Sequence, residues 1–585
     1  MTSPAAWPGW RADLFDADRV PFSRRGSFLA VSRLAEEDGL WLRSLRGGDE
    51  HTDAGRLFRL EVLDPGGTPV PHRAMLAPDC LTLETPVGAV RLAFADADTI
   101  AIEGDGAGLR LTLQPQSYDY AQRLPDRIRI SQARQDLSAD VLVTAGRADL
   151  DAPWQGLRAE RIRLDLLPGP GGRAAATLRL FRIRAQAAGP VDLATARADA
   201  AADFAAWRDA SLPVAPGLEA GRLLAAYITW SCMVPAEGVL TRPAMYMSKN
   251  WMTNIWSWDH CFNALALGAT RPDAAWEQMA ALFDQQDTGG RLPDFVNDRF
   301  AYWRFTKPPV HGWTFARLRA MAPDFYDDAR LGTVYGWLSR QADAWMEVAT
   351  DGLPAYDHGN DAGWDNATIF LAGTPLQSPD LATFLVLQMR ELAAIATRLG
   401  RAADATAWTG RADALRQALI GRLWTGGRFV ARLAGSGRIA EGGDSLIAFL
   451  PLLLGPELPA EIRQRLLDGL LAPGRFLTAH GLATEARTSP YYDPDGYWRG
   501  PIWAPVAALF VDALDRCGAP DQAAAVAAGF TRMADRVGMF ENYDAETGQG
   551  RRDPAFTWTS SVFLLLGHRL LGHRLLGRRL PGMSA

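Results

Sequence analysis

Carboxylates and aromatic rings are concentrated in one short segment, Tyr356 to Phe370, which reads YDHGNDAGWDNATIF. Three aspartates, one histidine, two asparagines and one tryptophan share a stretch that two glycines interrupt. A carboxyl group beside an aromatic ring can be desolvated, which raises its pKa and keeps it protonated near neutral pH. The segment is therefore a candidate source of a general acid.

Four other segments place aromatic rings next to carboxylates or cations. They are NIWSWDHCFN (254–263), FTKPPVHGW (305–313), GYWRGPIWAP (496–505) and MFENYDAETGQG (539–550). Each lies at or near the end of a predicted helix, and no nucleophile triad, phosphate loop or clustered metal ligands accompany them. Pyranose rings offer apolar faces for stacking, and two carboxyl groups commonly cleave a glycosidic bond. The pattern therefore favours sugar chemistry.

Composition sets the bounds of this interpretation. The 585 residues exceed what one core usually fills, so at least two domains are expected. A net charge of −6 gives no support for nucleic-acid binding. Four cysteines without a CxxC spacing predict neither a structural zinc site nor a disulfide framework. The sequence shows no signal peptide and no apolar run near the ~20 residues that span a bilayer, which favours a cytoplasmic protein without an integral membrane segment.

The first ~190 residues predict strands. Apolar and polar side chains alternate, or nearly so, in Arg56–Val62, Leu109–Gln114, Arg161–Leu166 and Thr177–Arg184. This two-residue period marks half-buried strands, and Gly- and Pro-rich turns separate them. An antiparallel β-sandwich fits such a series.

The rest of the chain predicts helices joined by long polar loops. Apolar residues of 331–345 recur at the helical spacing i, i+3, i+4 and i+7. Further helical stretches are predicted over 381–399, 405–423, 459–471, 502–516 and 521–536. The expected division is a β-sandwich-like domain at 1–190, a linker at 191–216, a helical catalytic domain at 217–570 and a basic tail at 571–585.

The motif segments resemble, in order and in wording, the (α/α)6-barrel glycosidases of glycoside hydrolase family 63. The resemblance rests on WSWDHCF, KPPVH, GWDN, YWRGPIW and ENYDAETG followed by FTWTSSVF, over roughly 254–565. The family includes processing α-glucosidases and hydrolases of mannosylglycerate and glucosylglycerate, and trehalases are more distant relatives. The resemblance implies a multidomain fold, with an N-terminal antiparallel β-sandwich followed by an all-α (α/α)6 toroid barrel.

The resemblance also implies inverting, exo-acting hydrolysis of an α-glucoside or α-mannoside of a small solute or oligosaccharide, without a cofactor. Asp365 takes the place of the general acid and Glu541 that of the general base. Asp361 is a rival candidate for the acid. His358, beside Asp357 and Asp361, is the one position that could suggest a metal site, and no metal is expected.

Further residues are expected to bind the substrate. They are Trp256, Trp258, Asp259, Asn297, Lys307, His311, Asp361, Trp364, Asn366, Trp498, Arg499, Trp503 and Tyr543. Asp259 could instead cap a helix, and Trp256 and Trp258 could fill core. Arg499 could pair with a structural carboxylate. Lys307 could meet the carboxylate of an acidic aglycone such as glycerate, or be a solvated loop lysine.

Other functions stay open from the sequence. A trehalase-like or debranching α-glucosidase would use the same barrel. A sugar isomerase or epimerase usually relies on histidine bases, whereas these motifs are centred on carboxylates. A non-catalytic carbohydrate-binding protein would lack one of the two catalytic carboxylates. A small carbohydrate is the expected partner, nucleic acid is not, and a homo-oligomer is left open.

Overall fold

The computed structural model describes residues 7–34, 37–48, 55–185 and 188–575. Within these ranges, the N-terminal part consists of strands in two antiparallel sheets. The strands are β1 (Leu29–Leu34), β2 (Glu37–Ser44), β3 (Arg56–Leu63), β4 (Arg73–Ala77), β5 (Cys80–Thr85), β6 (Gly88–Phe94), β7 (Thr99–Asp105), β8 (Gly108–Leu113), β9 (Tyr120–Arg123), β10 (Ile128–Gln132), β11 (Leu137–Ala145), β12 (Arg147–Asp151), β13 (Ile162–Leu167) and β14 (Arg173–Phe181).

The two sheets are built as the alternating sequence predicts. One has six strands in the order β1-β2-β3-β8-β13-β12, and the other has eight in the order β4-β5-β6-β7-β14-β11-β10-β9. In β13, Ile162 and Leu164 are buried while Arg163 between them is exposed. Arg110 of β8 lies opposite Asp165 of β13, and the two side chains form a buried ion pair at 2.7 Å. The predicted antiparallel β-sandwich is confirmed.

Helices make up most of the remaining chain. They are α1 (Leu193–Asp209), α2 (Glu219–Ser231), α3 (Asp259–Gly268), α4 (Pro272–Phe283), α5 (His311–Met321), α6 (Asp328–Glu347), α7 (Pro379–Arg398), α8 (Ala402–Leu423), α9 (Ala460–Leu470), α10 (Ala504–Arg516), α11 (Pro520–Val537) and α12 (Thr557–Leu575). A 3₁₀ segment, Leu446–Glu457, lies between α8 and α9.

Six helical segments form a closed inner ring. The contacts run from α3 to α5, α7, the 3₁₀ segment Leu446–Glu457, α10, α12 and back to α3. Every residue of α3 is buried, whereas α4, α6, α8, α9 and α11 pack on the ring from outside. The first half of α2 also packs there, because Gly221 donates its N–H to Asp535 of α11 at 2.7 Å. Inner and outer helices alternate along the chain, so the (α/α)6 barrel is confirmed.

Short strands join the loops that precede inner helices. They are β15 (Met233–Val234), β16 (Ala244–Met245), β17 (Ile255–Trp256), β18 (Phe295–Val296), β19 (Ala301–Tyr302), β20 (Leu376–Gln377), β21 (Arg432–Leu433), β22 (Ile502–Trp503), β23 (Asn542–Tyr543) and β24 (Gly550–Arg551). Sheet β17-β18-β19 joins the loop before α3 to the loop before α5, and sheet β22-β23-β24 joins those before α10 and α12. These ladders fix the motif loops to one another.

Two regions differ from the expected division. The predicted linker 191–216 contains helix α1, because its alanine-rich sequence has a high helix propensity and Asp192 caps it by accepting the Thr195 N–H. The predicted tail 571–585 begins inside α12, which continues to Leu575. Residues 576–585 lie outside the described residues, and among the described helices none is both long and apolar enough to cross a membrane.

The chain crosses between its two compact units more than once. One unit runs up to Ala210 and includes Ala226–Ala236 and Ser248–Asn254. The other contains Ser211–Ala225, Glu237–Met247 and the chain from Ile255 onwards. All motif residues discussed below from Ile255 on belong to the second unit.

Candidate active site

Two glycines shape the loop that carries Asp365. Gly363 has a φ of +68°, and a Cβ atom there would lie 2.6 Å from the Trp258 ring. A Cβ atom on Gly359 would lie 2.0 Å from the Asp365 carbonyl oxygen. A larger residue would fit at neither position without moving the loop, so the glycines of the motif let the backbone close tightly around Asp365.

Asp361 holds this loop from within. Its two carboxylate oxygens accept the backbone N–H groups of Thr306 at 3.0 Å and of His358 at 2.9 Å. Burial raises the pKa of Asp361, and the two amides partly offset that rise. Because each oxygen already accepts a backbone hydrogen bond, Asp361 serves the loop, which makes it a poor rival to Asp365 as the acid.

Asp365 lies partly exposed beside the buried ring of Trp364. Desolvation by the surrounding protein raises its pKa, the cation of Lys307 lowers it, and the carboxylate of Asp294 raises it further. The neighbouring His358 also lowers it. The net shift is upward, which is the direction a general acid requires.

Asn366 ties the Asp365 loop to the YWRG segment. Its side-chain amide donates to the Gly496 carbonyl at 3.0 Å and accepts the Trp498 N–H at 3.0 Å. Asn366 is therefore a clamp between two motif loops, and its amide is already engaged by the protein. This explains why an asparagine follows the acid without requiring a substrate contact.

Glu541 is 5% exposed and precedes β23. Burial raises its pKa to about 8, the nearby Asp553 adds to the rise, and a hydrogen bond from Tyr497 lowers it. The Tyr497 hydroxyl donates to Glu541 Oε1 at 3.2 Å. The Glu541 N–H donates to the Asp553 carbonyl at 2.7 Å, which fixes the backbone.

Asp259 begins α3 and is also 5% exposed. Burial raises its pKa well above the ordinary value, Lys307 lowers it, and Asp365 is among the carboxylates that raise it. Its Oδ2 atom has no hydrogen-bond partner among the described residues. The phenol of Tyr497 interacts with Asp259, Asp365 and Glu541, since all three carboxylates raise the pKa of Tyr497. Glu541 accepts a hydrogen bond from this phenol, and Asp365 and Asp259 act on it through their charge.

Lys307 is buried, so the alternative of a solvated loop lysine is wrong. Its ammonium donates to the Asn360 carbonyl at 3.0 Å and to the Asn360 side-chain oxygen, and it pairs with Asp294 Oδ1 at 3.0 Å. The two Asn360 oxygens accept hydrogen bonds from the ammonium, whereas Asp294 Oδ1 is paired with it by charge and has no hydrogen-bond partner among the described residues. The protein therefore holds Lys307, and its contact with the carboxylate of an aglycone stays a prediction.

Most motif tryptophans form an apolar floor. Trp498 stacks on Trp503 with ring centroids 3.9 Å apart, and Trp364 packs on Trp498 at 4.9 Å. Trp258 contacts Trp498 at 6.1 Å, and all four rings are nearly inaccessible to solvent. These buried rings make the surroundings of the motif carboxylates less polar. Trp256 is partly exposed, so it is the better candidate to stack on a sugar.

Three residues expected to bind the substrate have protein partners for their polar side-chain atoms. His311 is fully buried, with Nε2 2.8 Å from the Ser257 carbonyl and Nδ1 3.1 Å from the Gln341 amide. The Asn297 side-chain oxygen accepts two backbone amides of its own turn. The Tyr543 hydroxyl donates to a loop carbonyl five residues earlier. Asn297 and Tyr543 hold their own loops, whereas His311 links the start of α5 to Ser257 and to Gln341 of α6.

Arg499 remains a candidate for substrate binding. It is partly exposed, and its Nε atom is buried without a hydrogen-bond partner among the described residues. The expected alternative, an ion pair with a structural carboxylate, is not found in that part of the chain. Arg499 is therefore available for a ligand hydroxyl or carboxylate.

Sequence reasoning missed Tyr497 and Asp294. Tyr497 stands inside the quoted YWRG motif, but its φ of +62° and its contact with Glu541 are not visible in a sequence. Asp294 lies three residues before Asn297, which was expected to bind the substrate. One signal was available in the sequence: Asp294, an acid without an assigned role, lies close to the KPPVH motif, which contains one of the chain's two lysines.

A cavity of about 290 Å³ adjoins the Asp365 loop. Its lining includes Arg291, Trp303, Arg304, Phe305, Trp345 and His358. His358 also interacts with Asp365, which connects the cavity to the candidate acid. Among the described residues, no group of three or more His, Cys, Asp or Glu side chains is placed to hold a metal ion.

Residues 252–559, just over half of the chain, match the family described as mannosylglycerate hydrolase MGH1-like glycoside hydrolase domain. The chain belongs to this glycoside hydrolase family. Mannosylglycerate hydrolase of Rubrobacter radiotolerans is 25% identical, over 56% of this chain and 96% of the relative. Mannosylglycerate hydrolase MGH2 of Selaginella moellendorffii is 24% identical, over 53% of this chain and 79% of the relative.

Solved structures agree with the fold of this glycoside hydrolase. A family 63 mannosylglycerate hydrolase of Thermus thermophilus in complex with glucose gives a TM-score of 0.50 at 20% identity, covering 59% of this chain and 99% of that one. A bacterial glucoamylase complexed with acarbose gives 0.63 at 11% identity, covering 96% and 95%. The second likeness includes the N-terminal sheets as well as the barrel. The resemblance to family 63 glycosidases is confirmed.

Proposed function

We propose that this glycoside hydrolase cleaves an α-mannoside or α-glucoside of glycerate, or of a similar small acid, with inversion at the anomeric carbon. The observation that carries the proposal is the convergence of Asp259, Asp365 and Glu541, all with raised pKa values, on the phenol of Tyr497. They lie on loops that lead into inner helices of the barrel. Two acidic groups held with raised proton affinity suit acid and base catalysis on an uncharged sugar.

In the proposed mechanism, Asp365 gives its proton to the glycosidic oxygen as the bond to the anomeric carbon breaks. Glu541, in its ionised form, takes a proton from a water whose oxygen attacks that carbon from the opposite face. Asp259 accepts sugar hydroxyls through Oδ2, while Trp256 and Arg499 contact the glycone. The product is a free sugar of inverted configuration, released from the non-reducing end.

The adjoining cavity supports an acidic aglycone. Arg291 and Arg304 line it, are exposed, and have no ion pair or side-chain hydrogen bond among the described residues. Trp303 and Phe305 add apolar surface. A carboxylate placed there would meet two unpaired guanidinium groups, which recognise carboxylates well. The names of the relatives, mannosylglycerate hydrolases, point to the same class of aglycone.

Proton NMR of sugar release tests this proposal. The purified enzyme and the variants Asp365→Asn and Glu541→Gln would be given mannosylglycerate, glucosylglycerate, the two matching glycosylglycerols, trehalose and maltose. We expect the β-anomer to appear first from a glycerate substrate, and release to fall at least about 100-fold in both variants.

The controls separate the parts of the proposal. An α-anomer that appears first would contradict inversion. Equal turnover of glycosylglycerate and the neutral glycosylglycerol would contradict the acidic aglycone while leaving the hydrolase intact. Turnover of trehalose or maltose in preference to the glycerates would favour the trehalase-like or debranching alternative. Full turnover by both variants would show that Asp365 and Glu541 are not the catalytic acid and base.

A further inference from the structure

We propose that Tyr497 is the positioning residue of the general base, because its hydroxyl holds Glu541 Oε1 and so leaves Oε2 to take the proton from water. The inference rests on the proposed function, in which Glu541 is the base. It adds a residue that lies inside the YWRGPIW motif but was not among the residues expected to form the site.

The contact geometry supports this role. The Tyr497 hydroxyl lies 3.2 Å from Glu541 Oε1 and donates a hydrogen bond to it, and the backbone of Asp553 also interacts with that carboxylate. The backbone on either side of the Glu541 carboxylate is fixed by other contacts: its N–H donates to Asp553, and its carbonyl accepts Trp558 Nε1 at 3.3 Å. With the backbone fixed, the phenol is the side-chain hydrogen-bond donor that orients the carboxylate.

The backbone of Tyr497 is strained, and contacts with Trp503 fix the position of its phenol ring. Its φ is +62°, a left-handed conformation that non-glycine residues seldom adopt. Its carbonyl accepts Trp503 Nε1 at 3.0 Å, and its ring packs edge-on against Trp503 at 4.9 Å. A conformation that costs free energy and is held by several contacts is often found at functional sites.

A second strained residue, Arg552, also interacts with Glu541. Arg552 has a φ of +63°, and its charge lowers the pKa of Glu541. Arg552 pairs with Asp495 at 2.8 Å, two residues before Tyr497 in the chain. The two left-handed residues are therefore connected through Asp495, and both interact with the Glu541 carboxylate.

The phenol also remains a donor across the working pH range. Burial, Glu541, Asp365 and Asp259 all raise the pKa of Tyr497, so the hydroxyl keeps its proton. Its hydrogen bond stabilises the ionised form of Glu541 and lowers the pKa of that group. Since turnover needs Glu541 ionised and Asp365 protonated, the hydrogen bond enlarges the productive fraction of the enzyme.

The test is Tyr497→Phe, which removes the hydroxyl and keeps the ring against Trp503. We expect kcat/KM on the best glycerate substrate to fall about 10- to 100-fold, mainly through kcat, as for loss of a hydrogen bond to a charged group. We also expect the limb of the pH profile that reports the ionisation of Glu541 to move to higher pH. Incorporation of 3,5-difluorotyrosine at 497, a stronger hydrogen-bond donor of nearly the same shape, should move the limb to lower pH.

Two controls distinguish positioning from structure and from the acid. Tyr491→Phe changes an exposed tyrosine six residues away and should leave the pH profile unchanged. An α-glycosyl fluoride needs no acid, so Asp365→Asn should retain its hydrolysis while Tyr497→Phe slows it.

Unshifted pH limbs in both Tyr497 variants would overturn the proposal. So would a loss of activity confined to KM, which would indicate a contact with the substrate instead. Undiminished turnover by Glu541→Gln would instead remove the proposed function on which the inference rests, and the two failures are therefore distinguishable.

Discussion

Replacing the proposed base, Glu541, with its uncharged isostere glutamine should make the enzyme inactive and more stable. Burial raises the pKa of Glu541 from an ordinary value of 4.5 to about 8. Between these values the folded state holds a proton that the unfolded state releases, so stability falls as pH rises, by about 1.4 kcal/mol for each pH unit. The buried carboxyl therefore costs about 3 kcal/mol at pH 7 and under about 1 kcal/mol at pH 5. Glu541→Gln does not titrate and escapes this cost.

The measurement is the melting temperature of wild type and Glu541→Gln at several pH values from 5 to 9. The variant should be more stable by a margin that grows up to about pH 8 and then stays constant, since above its folded pKa the wild-type carboxyl is ionised in both states. A few degrees are expected, because about 3 kcal/mol is spread over a large unfolding entropy. The Tyr497 hydroxyl can still donate to the side-chain amide oxygen that the Glu541→Gln substitution provides, so the variant keeps this contact.

The matched control is Glu461→Gln on α9. Glu461 is 79% exposed and forms an ion pair with Arg465 one turn away. Such exposed pairs contribute under about 1 kcal/mol, so its replacement should change the melting temperature little and in the same way at every pH. If Glu541→Gln were no more stable than wild type at pH 8, or if its advantage did not grow with pH, the inferred burial of an ionised base would be refuted.

Three further variants test other parts of the site. Asp365→Asn should lose turnover of glycerate substrates yet hydrolyse an α-glycosyl fluoride, which initial rates on both substrates would show. Lys307→Met leaves the Asp294 carboxylate buried without its cation, which should cost roughly 3–5 kcal/mol in urea unfolding, and the added change Asp294→Asn should recover most of it. Gly363→Ala should lower both stability and kcat, because its φ of +68° disfavours alanine and the new methyl group would lie 2.6 Å from the Trp258 ring; unchanged kinetics would show that the loop tolerates the shift.

Local patterns explain why the elements could be predicted from the sequence. The predicted helix at 381–399 corresponds to α7 (Pro379–Arg398), and the predicted strand Arg56–Val62 to β3 (Arg56–Leu63). Both depend on a periodicity that neighbouring residues already show. The motif glycines are likewise interpretable, since Gly359 and Gly363 allow backbone contacts that a side chain would prevent.

Pairings between distant loops could not be predicted in the same way. Lys307 meets Asn360, which is 53 residues away, and His311 meets Ser257, which is 54 residues away. A sequence shows that a polar side chain is present, but not which of its donors the fold has already occupied. Among the residues expected to bind the substrate, Asp259, Trp498 and Arg499 have a buried polar atom without a hydrogen-bond partner in the described part of the chain, and they are therefore the stronger candidates for substrate contacts.

The charge balance of the site connects its stability with its chemistry. Asp259, Asp294, Asp365 and Glu541 lie among apolar rings, and the buried cation of Lys307 is held by Asp294. Carboxyl groups that outnumber their cations in such surroundings lower their free energy by keeping protons. The same burial that destabilises the ionised groups thus raises the pKa of the proposed acid, Asp365. Changes that admit water to this cluster should therefore weaken the acid while relieving the cost in stability, a trade-off common at catalytic sites.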